Sequence, residues 1–250
     1  MSFEANQDLK WAVVIPAYNE ALTISNLLTD VLTYHPSQLI VINDASIDNT
    51  AELINTFPII AEHNQQNLGK AGSLWKGFEK AIEMDMDVVI SMDGDGQHDP
   101  KDLPRLLKAF QNHPQNIIIG SRKRNPDTQP FARFFANKFA NFWVSWAAGY
   151  RISDSQSGFR IYPIALLKQL DTLKQSQGFV FESEVLIEAA WQNYRSVGVE
   201  IEAIYPEERR ASHFKPYDDI MNITRMVAKR LFSKKMNLMG LFAVIANLEK

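Results

Sequence analysis

Short apolar runs alternate with segments of helical spacing along the first half of the chain. WAVVIP (11–16) is an apolar run closed by proline, which predicts a buried strand. Behind it Ile24, Leu27, Leu28, Val31 and Leu32 recur at the three-and-four spacing of one helix face. QLIVIN (38–43) predicts a second strand, Thr50 to Phe57 a helix, and PIIAEH (58–63) a weaker strand. GKAGSLWKGFEKAIEM (69–84) predicts a helix and DVVISM (87–92) a fourth strand. A helix over KDLPRLLKAF (101–110) and a strand over NIIIGS (116–121) complete the series. Such alternation implies a mostly parallel sheet with helices on both faces, an α/β architecture.

The second half is less regular. FARFFANKFANFWVSWAAG (131–149) carries aromatics at 131, 134, 135, 139, 142, 143 and 146, a helical stripe expected to pack into the core. SDSQSGFRIYP (153–163) reads as a glycine-containing loop, FESEVLIEAAW (181–191) as a helix and VGVEIEAIYP (197–206) as a strand. PYDDIMNITRMVAKRLFSKK (216–235) predicts a basic amphipathic helix. With no repeat, no low-complexity linker and no break in composition, residues 1–250 are expected to form one domain.

Composition narrows the chemistry. The content, 46% hydrophobic and 22% charged, is that of an ordinary globular protein. A formal net charge of -3 gives no global attraction to nucleic acid, so none is expected as a partner. The absence of cysteine excludes disulfides and thiolate metal sites, which leaves oxygen and imidazole ligands and favours Mg²⁺ or Mn²⁺. No leader is visible in MSFEANQDLK, and no run nears the roughly 20 apolar residues that span a bilayer. The expected location is the cytoplasm.

Ligands of parallel α/β sheets bind beyond the carboxyl ends of the strands, and there the polar clusters fall. PAYNE follows the first strand, NDAS the second and DGDGQHD the fourth. Asp93 and Asp95, one residue apart between glycines, can aim two carboxylates at one divalent cation, with Gln97 adding a carbonyl oxygen. The plain alternative is a charged surface loop. Asp44 suits a base N–H or a ribose hydroxyl; capping of the next helix is its alternative, and one that fits Asp48 better. Tyr18 offers a flat face for a base; Glu20 is equally suited to a first helical turn. NLGKAGSL (67–74) enters a helix with glycines and can cradle phosphate, or simply pack closely. It matches neither G-x-x-x-x-G-K-[ST] nor G-x-G-x-x-G, so P-loop hydrolysis and dinucleotide binding lose their main support.

VVIPAYNE, VINDASIDNT, NLGKAGSLWKGF, SMDGDGQHDP, GSRKR and DSQSGFRIYP, in this order, resemble glycosyltransferase family 2 over roughly residues 11–215. They look most like its polyprenyl-phosphate (dolichyl-phosphate) mannose and glucose synthase branch. The resemblance implies a GT-A fold, a Rossmann-like and mostly parallel central sheet flanked by helices. It implies a nucleotide-binding half over about 8–120, an acceptor half over about 121–215 and a helical basic tail over 216–250. It further implies a UDP- or GDP-linked sugar donor, inversion at the anomeric carbon, and Mg²⁺ or Mn²⁺ on Asp93 and Asp95 with Gln97 nearby. Pro16, Ala17, Tyr18, Glu20, Asp44, Gly69, Lys70 and Asp93 would hold the nucleotide sugar, with Arg122 facing its phosphates. Glu182, at a helix start, and Asp154, on the acceptor side, are the two carboxylates the resemblance offers as a catalytic base; a dipole-favoured helix start is the other account of Glu182.

Arg160 and the cationic cluster Arg209, Arg210, His213 and Lys215 suit an anionic, lipid-linked or small acceptor. The branch usually reads R-x-x-G-x-S-K there, where this chain has SHFK. The aromatic stripe and Arg225, Lys229, Arg230, Lys234 and Lys235 could also dock peripherally on anionic lipid, each cation adding about 1 kcal/mol. Two rival functions differ in class. A haloacid-dehalogenase-type phosphohydrolase wants D-x-D-x-[TV] after its first strand, unlike DGDGQ after the fourth. A catalytically silent nucleotide-sugar binder has no need of Asp93, Asp95 and a base together.

Overall fold

The structure, a computed structural model, describes residues 9–123, 131–170, 173, 180–202, 204, 216–233 and 235–246. Its strands are β1 (Trp11–Ala17), β2 (Gln38–Asn43), β3 (Ile60–His63), β4 (Val88–Ser91), β5 (Ile117–Arg122), β6 (Arg160–Pro163) and β7 (Ser196–Ile201). Between them lie α1 (Ile24–Leu32), α2 (Thr50–Ile54), α3 (Gly69–Glu83), α4 (Leu103–Asn112), α5 (Phe131–Ala148), α6 (Ile164–Leu167) and α7 (Phe181–Trp191). Two helices follow the last strand, α8 (Pro216–Ser233) and α9 (Leu238–Ile245).

Among the described residues the strands form one seven-stranded sheet in the order β3-β2-β1-β4-β6-β5-β7. β1 pairs in parallel with β2 and β4, β2 with β3, and β5 with β7. β6 runs antiparallel between β4 and β5, setting Ser91 opposite Arg160. Part of the expected loop SDSQSGFRIYP is thus a central strand. Its four residues RIYP are all buried, and a buried strand so short shows no alternation to read. The helices over 24–32, 69–83, 131–148, 181–191 and 216–233 stand where the spacing predicts them; α2 stops at Ile54, short of Phe57.

Period-two alternation divides the core. Ala12, Val14, Ile40, Ile42 and Val89 face one side, against Leu74, Trp75 and Phe78 of α3 and the buried stripes of α5, α7 and α8. Val13, Ile15, Val41, Val88 and Ile90 face the other, against α1 and α4. Each fully buried side chain of this kind contributes about 1.5–3 kcal/mol, so the parallel strands are rigid supports for the loops at their carboxyl ends. The aromatic stripe of α5 divides: Trp146 is buried, whereas Phe139 and Phe142 are exposed.

Candidate active site

Three loops at the carboxyl edge are bound to one another by side chains. After β1 the chain turns through Asn19, whose φ of 55° is left-handed. Its amide donates to Ser46 Oγ (2.9 Å) and its Oδ1 accepts from the Ile47 amide (2.7 Å). The Glu20 amide donates to Thr50 Oγ1 (2.7 Å), and Thr23 Oγ1 donates to the Gly94 carbonyl (2.7 Å). These bonds tie the β1, β2 and β4 loops to one another. Pro16, Tyr18 and Glu20 are half-buried along this edge, and Ala17 lies inside the core.

Asp44 is buried, and its Oδ1 accepts from Asn64 Nδ2 (2.9 Å) and the Leu68 amide (2.8 Å). That oxygen holds the loop leading into α3 in place; it caps no helix. The loop ends at Gly69, whose φ of +74° is a conformation open to glycine at little cost. Lys70 follows at once and is aimed inward. Its Nζ lies 2.6 Å from Asp93 Oδ1 and 2.6 Å from Glu182 Oε1, joining the starts of α3 and α7 to the end of β4.

Charge follows from this contact. Burial alone would raise the Asp93 carboxyl, but the Lys70 ammonium, aided by His98 and Arg122, holds it down at about 2. Burial disfavours the Lys70 cation, yet Asp93 and Glu182 together raise its pKa well above the ordinary value. The Asp95 carboxyl is pushed up by burial and then by the negative charge of Asp93. His98 is buried and stacked on Phe159 at 5.2 Å, with its Nδ1 accepting from the Asp93 amide (3.2 Å). Burial depresses its imidazole to about 4 despite Asp93, so it is neutral near pH 7.

Gly158 supplies the far wall. A Cβ there would sit 2.7 Å from both Asp93 oxygens and 2.9 Å from Lys70 Nζ, so no larger residue fits while the pair stands. Beside it Arg122 grips Asp154 by two charge-assisted bonds, Nε to Oδ2 at 2.8 Å and Nη2 to Oδ1 at 3.0 Å. Asp154 is buried and also accepts from the Gln156 amide (3.2 Å). This geometry orients Arg122, rather than setting Asp154 free as a base.

The structure alters the expectation for Arg160. Its guanidinium is fully buried and donates to the carbonyls of Ser157 (2.7 Å), Glu182 (2.7 Å) and Ser155 (2.8 Å). A cation spent on buried carbonyls has no reach to an acceptor phosphate; it fastens the 155–157 loop and the start of α7 instead. The expected acceptor cations Arg209, Arg210, His213 and Lys215 lie outside the described residues. The structure thus brings together Lys70, Asp93, Asp95, Arg122, Asp154 and Glu182. The tasks of His98 and Gly158 escaped the sequence reading, although both lie inside motifs that were singled out.

Asp93 and Asp95 supply hard oxygen donors with negative charge to spare, a set that fits Mg²⁺ or Mn²⁺. Among the described residues no group of three or more His, Cys, Asp or Glu forms a complete cage. A cation held here would draw its remaining ligands from water and a bound phosphate, the usual habit of Mg²⁺. Cationic Lys70 and Arg122, two such carboxylates and buried Glu182 can together bind a diphosphate and stabilise its departure.

The chain is similar to known proteins. The chain is 30% identical over 216 residues to the UDP-N-acetylglucosamine–dolichyl-phosphate N-acetylglucosaminyltransferase of Methanococcus voltae, covering 78% of this chain and 86% of that one. It is 28% identical to the undecaprenyl-phosphate mannosyltransferase of Micrococcus luteus over 85% of this chain and 91% of the relative. Among solved structures it resembles the glucosyl-3-phosphoglycerate synthase of Mycobacterium tuberculosis, in complex with Mn²⁺, UDP and glucosyl-3-phosphoglycerate. The TM-score there is 0.63 at 20% identity, covering 91% of this chain and 80% of that one, a likeness of fold. The family model described as Glycosyl transferase family 2 matches residues 12–169, and the chain belongs to that family of glycosyltransferases.

Proposed function

We propose that the protein transfers a sugar from a uridine-diphosphate sugar to a polyprenyl phosphate, with inversion and with a divalent cation on Asp93 and Asp95. The observation that carries the reading is the Lys70 ammonium 2.6 Å from both Asp93 and Glu182, beside the Arg122–Asp154 pair. It gathers cations and carboxylates at the edge where such sheets bind nucleotides. The names of the relatives support a polyprenyl-phosphate acceptor, and that of the Methanococcus voltae relative a uridine donor.

Bound there, the cation would neutralise charge on the departing diphosphate. This chain's residues do the rest. Asp44, Tyr18 and the end of β1 at Pro16 and Ala17 flank the nucleoside, and Arg122, oriented by Asp154, meets the phosphates. An oxygen of the acceptor phosphate attacks the anomeric carbon from the face opposite the diphosphate; the new C–O bond forms as the old one breaks and UDP leaves. A phosphate is already ionised, so no proton need be removed from it. Glu182 then acts through Lys70, sharing the ammonium with Asp93.

A thermal-shift series with UDP, GDP and their sugars, with and without Mn²⁺, tests the reading. The expected result is a Mn²⁺-dependent rise with the uridine ligands, lost in Asp95→Asn, and sugar transfer to undecaprenyl phosphate. An Asp95→Asn variant with full turnover would falsify the metal assignment. Glu182→Gln, on this reading, keeps transfer to the phosphate acceptor above a tenth of wild type, roughly 1.4 kcal/mol; complete loss would make Glu182 a base acting on a hydroxyl acceptor.

A further inference from the structure

Among the described residues, four of the eleven exposed large apolar side chains lie on one short helix. α9 leaves Leu238, Phe242 and Ile245 about two-thirds exposed, and Met239 more so. At 100° per residue Leu238, Phe242 and Ile245 fall within one narrow stripe. Its sequence, LMGLFAVI, holds no polar side chain.

This helix is held firmly. Trp146 Nε1 donates to the carbonyls of Met236 (3.0 Å) and Asn237 (3.2 Å), and Asn237 Nδ2 returns a bond to the Trp146 carbonyl (3.1 Å). Asn237 Oδ1 caps α9 by accepting from the Gly240 amide (3.1 Å). The outward apolar stripe is therefore fixed by α5.

The neighbouring helix adds charge. On α8, Ile223, Val227 and Leu231 are buried, while Arg225, Lys229 and Phe232 form the opposite, exposed stripe. Between Arg225 and Phe232 the helix carries no acidic residue. α5 packs against both α8 and α9 and leaves Phe139 and Phe142 partly exposed.

An apolar stripe without hydrogen-bonding groups, beside one that carries Arg225 and Lys229, matches the boundary of a bilayer in which lipid phosphates lie above acyl chains. Among the described residues no helix is long and apolar enough to cross a membrane, so the fit is to lying in its surface. We infer that the exposed stripes of α8 and α9 dock this enzyme on an anionic bilayer, α9 reaching the acyl boundary and Arg225 and Lys229 the headgroups. The inference rests on the polyprenyl-phosphate reading, since that acceptor resides in the bilayer. The same helices reach the site: Arg230 of α8 pairs with Glu184 and Glu188 of α7, the helix that carries Glu182, and Asn141 of α5 holds Ser155.

Co-sedimentation of the full chain with vesicles of phosphatidylcholine, alone or mixed with phosphatidylglycerol, tests this. Wild type is expected on the mixed vesicles and scarcely on the neutral ones. Phe242→Asp with Ile245→Asp should cut binding by about tenfold or more, with circular dichroism, melting temperature and the nucleotide thermal shift unchanged. Arg225→Glu with Lys229→Glu should erase the preference for the mixed vesicles. The docking surface is overturned if wild type stays in the supernatant, or if the Asp pair changes nothing. It is equally overturned if light scattering shows a wild-type dimer that the Asp pair makes monomeric, since a second copy would then cover the face. Transfer to a short, water-soluble polyprenyl phosphate separates the two readings. Activity there without vesicle binding removes the surface alone; vesicle binding without any transfer removes the acceptor.

Discussion

His98 sits where the loop after β4 folds back on the sheet, and its role is to hold Asp93. The Asp93 amide bonds to Nδ1, which places the ring proton on Nε2, 4.0 Å from Asp93 Oδ2. Because burial lowers its pKa from 6.5 to about 4, the native state refuses a proton that the unfolded chain accepts. Its contribution is complete above pH 6.5 and is lost as the pH falls towards 4, at most on the order of 3 kcal/mol. Asp93, whose pKa falls from 3.8 to about 2, loses its share lower, below pH 3.8. Urea unfolding at pH 7, 5.5 and 4.5 should therefore show a steeper acid loss for wild type than for His98→Gln. Equal slopes would assign the loss to other groups. None of this was legible in DGDGQHD, which displays a histidine among carboxylates but not the Phe159 ring beneath it. Arg160 teaches the same lesson: SGFR shows a cation, and only the pairing of β6 with β4 reveals that it points inward at carbonyls.

At the level of elements, β6 brings Gly158 against the Asp93–Lys70 pair. Gly158→Ala is expected to leave the sheet formed, because the atoms its Cβ meets are side-chain ends rather than backbone. The pair must yield, at about 1–3 kcal/mol of crowding, so nucleotide-sugar affinity measured calorimetrically should fall by tenfold or more with a small change in melting temperature. Unchanged affinity would mean that the pair already moves when the donor binds. The loops after β1, β2 and β4 were legible because a parallel sheet sends every such loop to one edge, and apolar runs in the sequence mark the strands. The antiparallel insertion was not. A four-residue buried strand following a glycine-serine loop carries no period, and its place between β4 and β5 is set by distant partners. Lys70 was seen as a loop cation; its partners are 23 and 112 residues further along the chain, beyond any local pattern.

The molecule as a whole joins a polar edge, carried by β1, β2 and β4 and proposed to bind the nucleotide, to a helical side made by α5, α7, α8 and α9. Arg230 is the clasp between α8 and α7, paired with Glu188 and Glu184 and lying 5.5 Å over the Trp191 ring. Arg230→Ala should cost about 1–3 kcal/mol in urea unfolding and reduce transfer, while the nucleotide thermal shift persists. A variant that loses nucleotide binding as well would show the two sides to be one cooperative unit. The double contact of Lys70 also bears on the order of events. Its single positive charge is divided between two carboxylates, and Arg122 is matched by Asp154, so the protein's own groups leave this edge with an excess of negative charge. A bare diphosphate approaching that edge is repelled, whereas one escorted by its own cation is not. For the proposed donor this makes binding kinetics the telling quantity: nucleotide and metal enter as one complex, and association without metal slows as ionic strength is lowered.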